Sequence, residues 1–121
     1  MRRRRTDADG DLLAGTLDML ILRILAAGPA HGLEIAQAIE RRSDDVLFVE
    51  QGSLYPALHR IEEHGWVAAF WGTSGNNRRA RFYRLTPKGR GRLVAETSRW
   101  DTLVEAVARV MGPGPDRTEV S

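Results

Sequence analysis

The sequence contains no cysteine, and Lys88 is the only lysine among its 18 basic residues. The lack of cysteine excludes disulfides and thiolate metal sites, and it suits a reducing cytoplasm. No apolar run approaches the roughly 20 residues of a membrane span. The basic opening, residues 1–5, is not followed by the apolar core of a signal peptide. We therefore expect a single-domain cytoplasmic protein of 121 residues without a metal or other cofactor.

Recognisable catalytic motifs are also missing. His31, His59 and His64 show no i, i+4 spacing among them, which disfavours a zinc site. The sequence has no glycine-rich phosphate loop, serine nucleophile elbow or paired-carboxylate constellation. It therefore predicts a protein that is not an enzyme.

Charge is unevenly distributed although the net charge is only +2. Residues 78–92 contain seven basic side chains and no acid. The acids cluster instead in residues 7–11, 40–50 and 101–105. Such segregation indicates one basic face, which is typical of proteins that bind nucleic acid.

Residues 51–66 predict a short amphipathic helix. We expect Gly52 or Ser53 as its N-cap, Pro56 in its first turn and Gly65 at its C-terminal end. Its apolar stripe contains Leu54, Ala57, Leu58 and Ile61. Its opposite side carries Tyr55, Pro56, His59, Arg60 and Glu63. This side could belong to an ordinary solvated helix or could enter the DNA major groove, and the flanking segments decide between them.

Two helices are predicted before this one. Apolar recurrence places the first at residues 12–27 or 16–27 and the second at residues 31–42 or 32–42. Residues 46–50 then form either an extended linker or a short strand. Three short helices with a brief connection before the third indicate a helix-turn-helix.

A basic β-hairpin is predicted next. Residues 66–72 and 80–85 have strand composition, and residues 73–77 supply the glycine and asparagine of a tight turn. The tip and the return strand carry Asn77, Arg78, Arg79 and Arg81. This composition suits a clamp on DNA phosphates, and the alternative is an exposed hairpin that serves only solubility.

A long last helix follows the cap Thr86-Pro87 and ends at Gly112. Its apolar stripe continues beyond what the winged domain needs, which predicts contact with a second copy of the chain. The expected dimer interface comprises Leu17, Leu20, Leu93, Trp100, Leu103, Val104, Val107 and Met111. Membrane-surface binding by this helix is the weaker alternative, because it carries Asp101 and Glu105.

The predicted fold is therefore mainly α with a small β-hairpin. A disordered tail (1–11) precedes a winged helix-turn-helix DNA-binding domain (12–85), a C-terminal dimerisation helix (86–112) and a second disordered tail (113–121).

These motifs resemble the PadR family of bacterial transcriptional regulators, in its short form with a single C-terminal helix. The resemblance covers roughly residues 13–111 and rests on segments 15–22, 31–35, 52–58 and 81–89 and on Trp100. Residues 51–60 and 77–80 are similar to a subgroup common in acidobacteria. Leu33 departs from the family, in which many members carry a tyrosine whose hydroxyl is absent here.

The resemblance implies a homodimer that binds an inverted repeat in a promoter and represses it, with relief by a small molecule. It implies that Trp100 lies where some relatives line a dimer-interface pocket for flat aromatic ligands, although a tryptophan on an apolar stripe is more commonly a core residue. The predicted DNA-binding residues are Gln51, Ser53, Tyr55, Pro56, His59, Arg60, Asn77, Arg78, Arg79 and Arg81. The alternative function is a winged-helix module for protein contacts without specific DNA binding.

Overall fold

The computed structural model describes residues 15–113. The predicted tails, 1–11 and 113–121, lie outside this range apart from residue 113. In chain order the elements are α1 (15–25), β1 (Ala30–His31), α2 (Gly32–Arg42), α3 (Gln51–Glu63), β2 (Val67–Thr73), β3 (Arg79–Leu85) and α4 (Pro87–Met111). Among the described residues, none of the helices combines the length and apolar character required to cross a membrane.

The sheet has three antiparallel strands in the order β1-β3-β2. β2 and β3 form the predicted hairpin, with pairs from Val67↔Leu85 to Thr73↔Arg79. The third strand is β1, which pairs Ala30 with Tyr83. Residues 46–50, for which the sequence allowed a short strand or an extended linker, contain no strand: residues 46 and 47 form a bend and 48–50 an irregular linker. The Val49 amide donates to Glu40 Oε2 on α2 at 3.1 Å, so the linker is held by a side chain instead of a strand partner.

α2 begins where the sequence predicts because a capping box defines its first turn. His31 Nδ1 accepts from the Glu34 amide at 3.4 Å, and Glu34 Oε1 accepts from the His31 amide at 3.1 Å. These reciprocal bonds satisfy amides that the helix cannot pair internally. The same residue, His31, therefore ends β1 and starts α2.

α3 begins earlier than predicted. Its N-cap is Glu50, which makes no side-chain capping bond, so the predicted cap at Gly52 or Ser53 is wrong. The Ser53 and Leu54 amides both donate to the Glu50 carbonyl, so the first turn starts two or three residues before the predicted cap. Pro56 consequently lies in the second turn rather than the first, where it removes the helical bond to the residue 52 carbonyl.

The ends of the later elements follow the sequence signals. Gly65 has a φ of +78° after α3, and Gly112 has a φ of +60° after α4. Thr86 caps α4 by accepting from the Gly89 amide at 3.0 Å and donates its own hydroxyl to the Gly65 carbonyl at 2.7 Å. This pair of bonds ties the start of α4 to the end of α3.

A single apolar core joins α1, α2, α3 and the base of the sheet. Its most buried large side chains are Leu17, Ile21, Leu22, Ile35, Leu54, Leu58 and Ile61. Leu93, in the first turns of α4, is also part of this core. Leu17 and Leu93 were predicted in a dimer interface, but both are buried within the protomer because their segments of α1 and α4 cover its own core. The arrangement confirms the predicted winged helix-turn-helix followed by a long helix.

Candidate nucleic-acid interface

α3 separates its apolar and polar faces cleanly. Leu54, Ala57, Leu58 and Ile61 are buried, as predicted. The exposed residues of its first two turns and middle are Gln51, Gly52, Ser53, Tyr55, Pro56 and His59. The helix therefore presents an amide, a hydroxyl, a phenol and an imidazole on one accessible side, which are groups that can hydrogen-bond to base edges.

Tyr55 is only partly available, because its ring packs on the start of α2. Its side chain is 48% exposed. A methyl group added at Gly32 would lie 2.9 Å from Tyr55 Oη and 3.1 Å from its Cε1. The absence of a side chain at Gly32 thus allows the ring to lie across the α2 N-terminus, where its orientation is restricted.

His59 lies beside an acid on the same face. His59 Nε2 is 3.2 Å from Glu63 Oε2, and both side chains are strongly exposed. The pair is ionic only when the imidazole is protonated, and exposed i, i+4 pairs of this kind contribute little to stability.

Arg60 is paired with α1, although its side chain stays partly exposed to solvent. Its Nε donates to Asp18 Oδ2 at 3.1 Å and its Nη2 donates to Asp18 Oδ1 at 2.7 Å. The hydrogen bond to Asp18 raises the pKa of Arg60 above its ordinary value. The Nε/Nη2 edge of this predicted DNA-binding residue is therefore occupied within the protomer.

The hairpin tip, or wing, is closed by backbone bonds. The Asn77 amide donates to the Ser74 carbonyl at 2.9 Å, and the Ser74 amide donates to the Arg78 carbonyl at 2.8 Å. Asn77 has a φ of +60°, a conformation that asparagine tolerates well. The turn leaves Asn77 and Arg78 exposed at the far end of the sheet.

The wing arginines are held by aromatic rings. The Arg79 guanidinium lies 4.7 Å from the centroid of Trp71, which is 58% exposed. Trp71 is paired directly with Arg81, and opposite residues on neighbouring strands share a face. Trp71 was not predicted as a site residue. The pairing of the two predicted strands could have revealed it, because this pairing places Trp71 beside the arginines of the return strand.

Arg81 connects the wing to α3. Its Nη2 lies 2.9 Å from Glu62 Oε2, and its guanidinium lies 6.0 Å from the ring centroid of Tyr83. Burial raises the pKa of the Tyr83 hydroxyl, and the positive charge of Arg81 partly offsets that rise. Two of the predicted DNA-binding arginines, Arg60 and Arg81, are therefore paired with acids, whereas Arg78 and Arg79 make no ion pair with an acid within residues 15–113.

The second half of α4 projects from the domain. The helix has 25 residues and is about 37 Å long at 1.5 Å per residue. Every residue from 97 to 111 is exposed. Its exposed large apolar side chains are Trp100, Leu103, Val104, Val107, Val110 and Met111.

A polar helix face beside an arginine-bearing wing, on a winged helix-turn-helix scaffold, defines a DNA-binding protein of the transcription-regulator class. Within the described part of the chain, no group of three His, Cys, Asp or Glu residues could hold a metal ion. Residues 21–95, more than half of the chain, match the Transcriptional regulator PadR-like family. The chain belongs to this family, whose members are transcriptional regulators and not enzymes, and membership implies DNA binding. The predicted family is confirmed, and the acidobacterial subgroup stays a prediction.

Individual relatives agree with this assignment. The chain is 32% identical over 87 residues to transcriptional regulator Rv3488 of Mycobacterium tuberculosis, covering 72% of this chain and 78% of that protein. A transcriptional regulator from Clostridium thermocellum superposes with a TM-score of 0.76 at 25% identity, covering 84% of this chain and 99% of that one. A PadR family transcriptional regulator from Eggerthella lenta gives 0.72 at 26% identity, covering 93% and 96%.

Proposed function

We propose that this protein is a cytoplasmic homodimeric repressor that binds an inverted-repeat operator and is released from it by a small aromatic effector. The observation that carries the proposal is the joint exposure of the α3 polar face and the wing arginines on one winged-helix protomer. The helix offers hydrogen-bonding groups for base edges, and the wing offers cations for the phosphates.

In this proposal α3 reads bases in the major groove. Gln51, Ser53, Tyr55 and His59 are the base-contacting residues, and Pro56 packs against the groove wall without donating a hydrogen bond. Gln51 and Ser53 support this role because they are exposed on the first turn of the helix, and N-terminal residues of a recognition helix are the ones that reach base edges.

The wing contributes register and affinity rather than base reading. Asn77, Arg78 and Arg79 hold the phosphate backbone, since they are exposed at the hairpin tip. Arg81 lies closer to α3 and is paired with Glu62, so its contribution is a weaker one through the field of the basic face. Arginine is suited to this task because its planar fork matches phosphate oxygens.

Dimerisation in the proposal uses α4. Its stripe from Trp100 to Met111 exposes large apolar side chains, and a second copy of the chain is the simplest partner that would cover them. Leu20 on α1 is half-buried and adjoins the core, so it can contribute to the same contact. A two-fold dimer would present two α3 helices about 34 Å apart, one turn of DNA.

The effector in the proposal is a flat aromatic molecule that stacks on Trp100. This indole is 43% exposed on the α4 stripe, so a dimer would place two copies near one another. Stacking between an indole and a flat ring is favourable in such an apolar environment. Occupancy of this contact would shift the spacing of the two α3 helices and so reduce operator affinity.

The deciding experiment is selection of binding sites from a random duplex pool by the purified protein, followed by salt titration of the best site. We expect an enriched inverted repeat and a log–log salt slope that reflects several phosphate contacts. Placement of this operator upstream of a reporter gene should lower expression when the protein is present. No enrichment, with weak binding that is insensitive to salt, would instead support a module for protein contacts.

A further inference from the structure

The Asp18–Arg60 pair links two helices that are far apart in the sequence. The residues lie on α1 and α3, 42 positions apart, and both oxygens of the carboxylate accept from the guanidinium. The Asp18 side chain is 19% exposed and the Arg60 side chain 44% exposed. A bidentate pair between a planar guanidinium and a carboxylate is directional, unlike a single contact to a lysine.

The rest of the α1–α3 contact is apolar. Leu54, Leu58 and Ile61 of α3 share one core with Leu17 and Ile21 of α1. Packing of this one apolar face sets the rotation of α3 about its own axis coarsely. A directional bond at the edge of that contact sets the rotation more finely.

A second ion pair supports α3 from its other flank. Glu62 pairs with Arg81 of the wing at 2.9 Å. Positions 60 and 62 are about 200° apart around a helix, so these two bonds restrain α3 from opposite sides. The helix is therefore braced to α1 by Arg60 and to the wing by Glu62.

We infer that Arg60 is a positioning residue that, through Asp18, sets the rotation of α3 relative to α1 and thereby the aim of its base-contacting side chains. This inference rests on the proposed operator recognition by α3. It replaces the sequence prediction that Arg60 contacts DNA directly, and it makes an acidic residue, Asp18, a determinant of specific DNA affinity.

The inference predicts a change in DNA affinity that is opposite to the usual effect of removing a negative charge. Removal of a negative charge from a DNA-binding domain ordinarily strengthens binding to all DNA, because phosphate repulsion falls. Asp18→Asn would also release Arg60 toward DNA if Arg60 were a phosphate contact. If Arg60 acts by positioning, the same substitution must weaken operator binding in spite of the more favourable charge.

The test compares wild type, Asp18→Asn, Arg60→Ala and the double variant in the full chain. Dissociation constants are measured for the selected operator and for a scrambled duplex over a range of salt, with circular dichroism as the check on folding. We expect each single variant to weaken operator binding by about fivefold, as for other coupled positioning residues. We expect the double variant to be no weaker than either single one, and the salt slope on the operator to stay unchanged.

The control for charge is Asp44→Asn, which removes the same charge from the α2–α3 connection. Asp44 has a φ of +53°, a conformation that asparagine also tolerates, so the control preserves the backbone. It should leave the preference for the operator over the scrambled duplex unchanged. Equal or tighter operator binding by Asp18→Asn, or a salt slope reduced by about one in Arg60→Ala alone, overturns the inference. A wild-type protein with no preferred site overturns the proposed function itself, which is a distinct result.

Discussion

The ring of Tyr55 on α3 lies directly over Gly32, the first residue of α2. A methyl group at Gly32 would come within 2.9 Å of the Tyr55 hydroxyl oxygen. The contact connects α2 and α3 through one side chain that is also exposed toward the proposed DNA surface. The aim of Tyr55 therefore depends on the smallest residue of α2.

Gly32→Ala should reduce operator affinity with little loss of stability. The added methyl group meets the mobile end of a side chain, which can rotate away, and alanine also favours the helix. The displaced Tyr55 then loses its proposed base contact. We expect an operator dissociation constant that approaches that of Tyr55→Ala, measured by fluorescence anisotropy, with melting temperature near wild type. Equal losses on operator and scrambled DNA in Tyr55→Ala would exclude a base-reading role for Tyr55.

Arg79→Ala should weaken binding to operator and scrambled duplexes alike and lower the salt slope by about one, because it removes one phosphate contact. Trp71→Leu keeps the charge of Arg79 and removes the ring under its guanidinium. It should therefore weaken binding to both duplexes less than Arg79→Ala does and leave the salt slope unchanged. Arg109→Ala, a matched loss of charge near the end of α4, is the control. A slope that falls equally in Arg109→Ala would mean that bulk charge explains the effect.

Gly89→Ala should destabilise the protein strongly. A methyl group there would overlap the Trp66 carbonyl oxygen, which is backbone and cannot move aside cheaply. We expect a loss of about 2–3 kcal/mol in the free energy of unfolding by urea denaturation, as for other overpacked sites. Gly91→Ala is the control, since nothing lies within 4 Å of its added methyl group, and it should be neutral or slightly stabilising. Comparable losses in both variants would contradict the close approach at Gly89.

Val107→Glu should abolish dimers. The side chain is 49% exposed within the α4 apolar stripe, and a carboxylate buried against a second copy would lack a partner. Sedimentation velocity should then give a monomer, and circular dichroism should lose no more helical signal than residues 97–111 contribute. The control is Val94→Glu, which introduces the same carboxylate outside the apolar stripe, about 100° around the helix from Leu93. This variant protein should stay dimeric. Wild-type protein that sediments as a monomer at micromolar concentration would exclude the proposed dimer.

Flat cationic dyes should quench the fluorescence of the protein by stacking on Trp100. Trp100→Ala should abolish the saturable part of that quenching, because the exposed indole supplies the stacking surface. Trp66 and Trp71 remain as background and should respond equally in both proteins. The same titration curve in wild type and Trp100→Ala would exclude Trp100 as an effector site.

The boundaries that were predictable carry local chemical signals. Thr86-Pro87 and Gly65 mark helix ends by side-chain capping and by positive φ, and the structure has both. The start of α3 was missed because Glu50 caps with its backbone alone, which leaves no trace in residue type. β1 was missed because two residues are too short for strand periodicity to register.

The candidate site likewise contains features that the sequence predicted and features that it could not predict. Exposure of Tyr55 and His59 followed from helical spacing alone. The engagement of Arg60 could not be predicted, since Asp18 is distant in the sequence and only the packed α1–α3 contact brings them together. The sequence also could not show whether Leu17 and Leu93 are buried by the protomer's own core or by a partner, because an apolar stripe is compatible with both.

The exposed end of α4 has a consequence for how the protein responds to its own abundance. Residues 97–111 are exposed throughout, whereas most helical stability in proteins comes from tertiary packing of an apolar face. This segment gains little from the rest of the protomer, so its helicity should rise with protein concentration as copies associate. Amide protons there should exchange rapidly in dilute solution and slowly in concentrated solution. Through the proposed dimer, synthesis of more regulator would complete the folding of this segment in molecules already present, and the response to abundance would have a threshold.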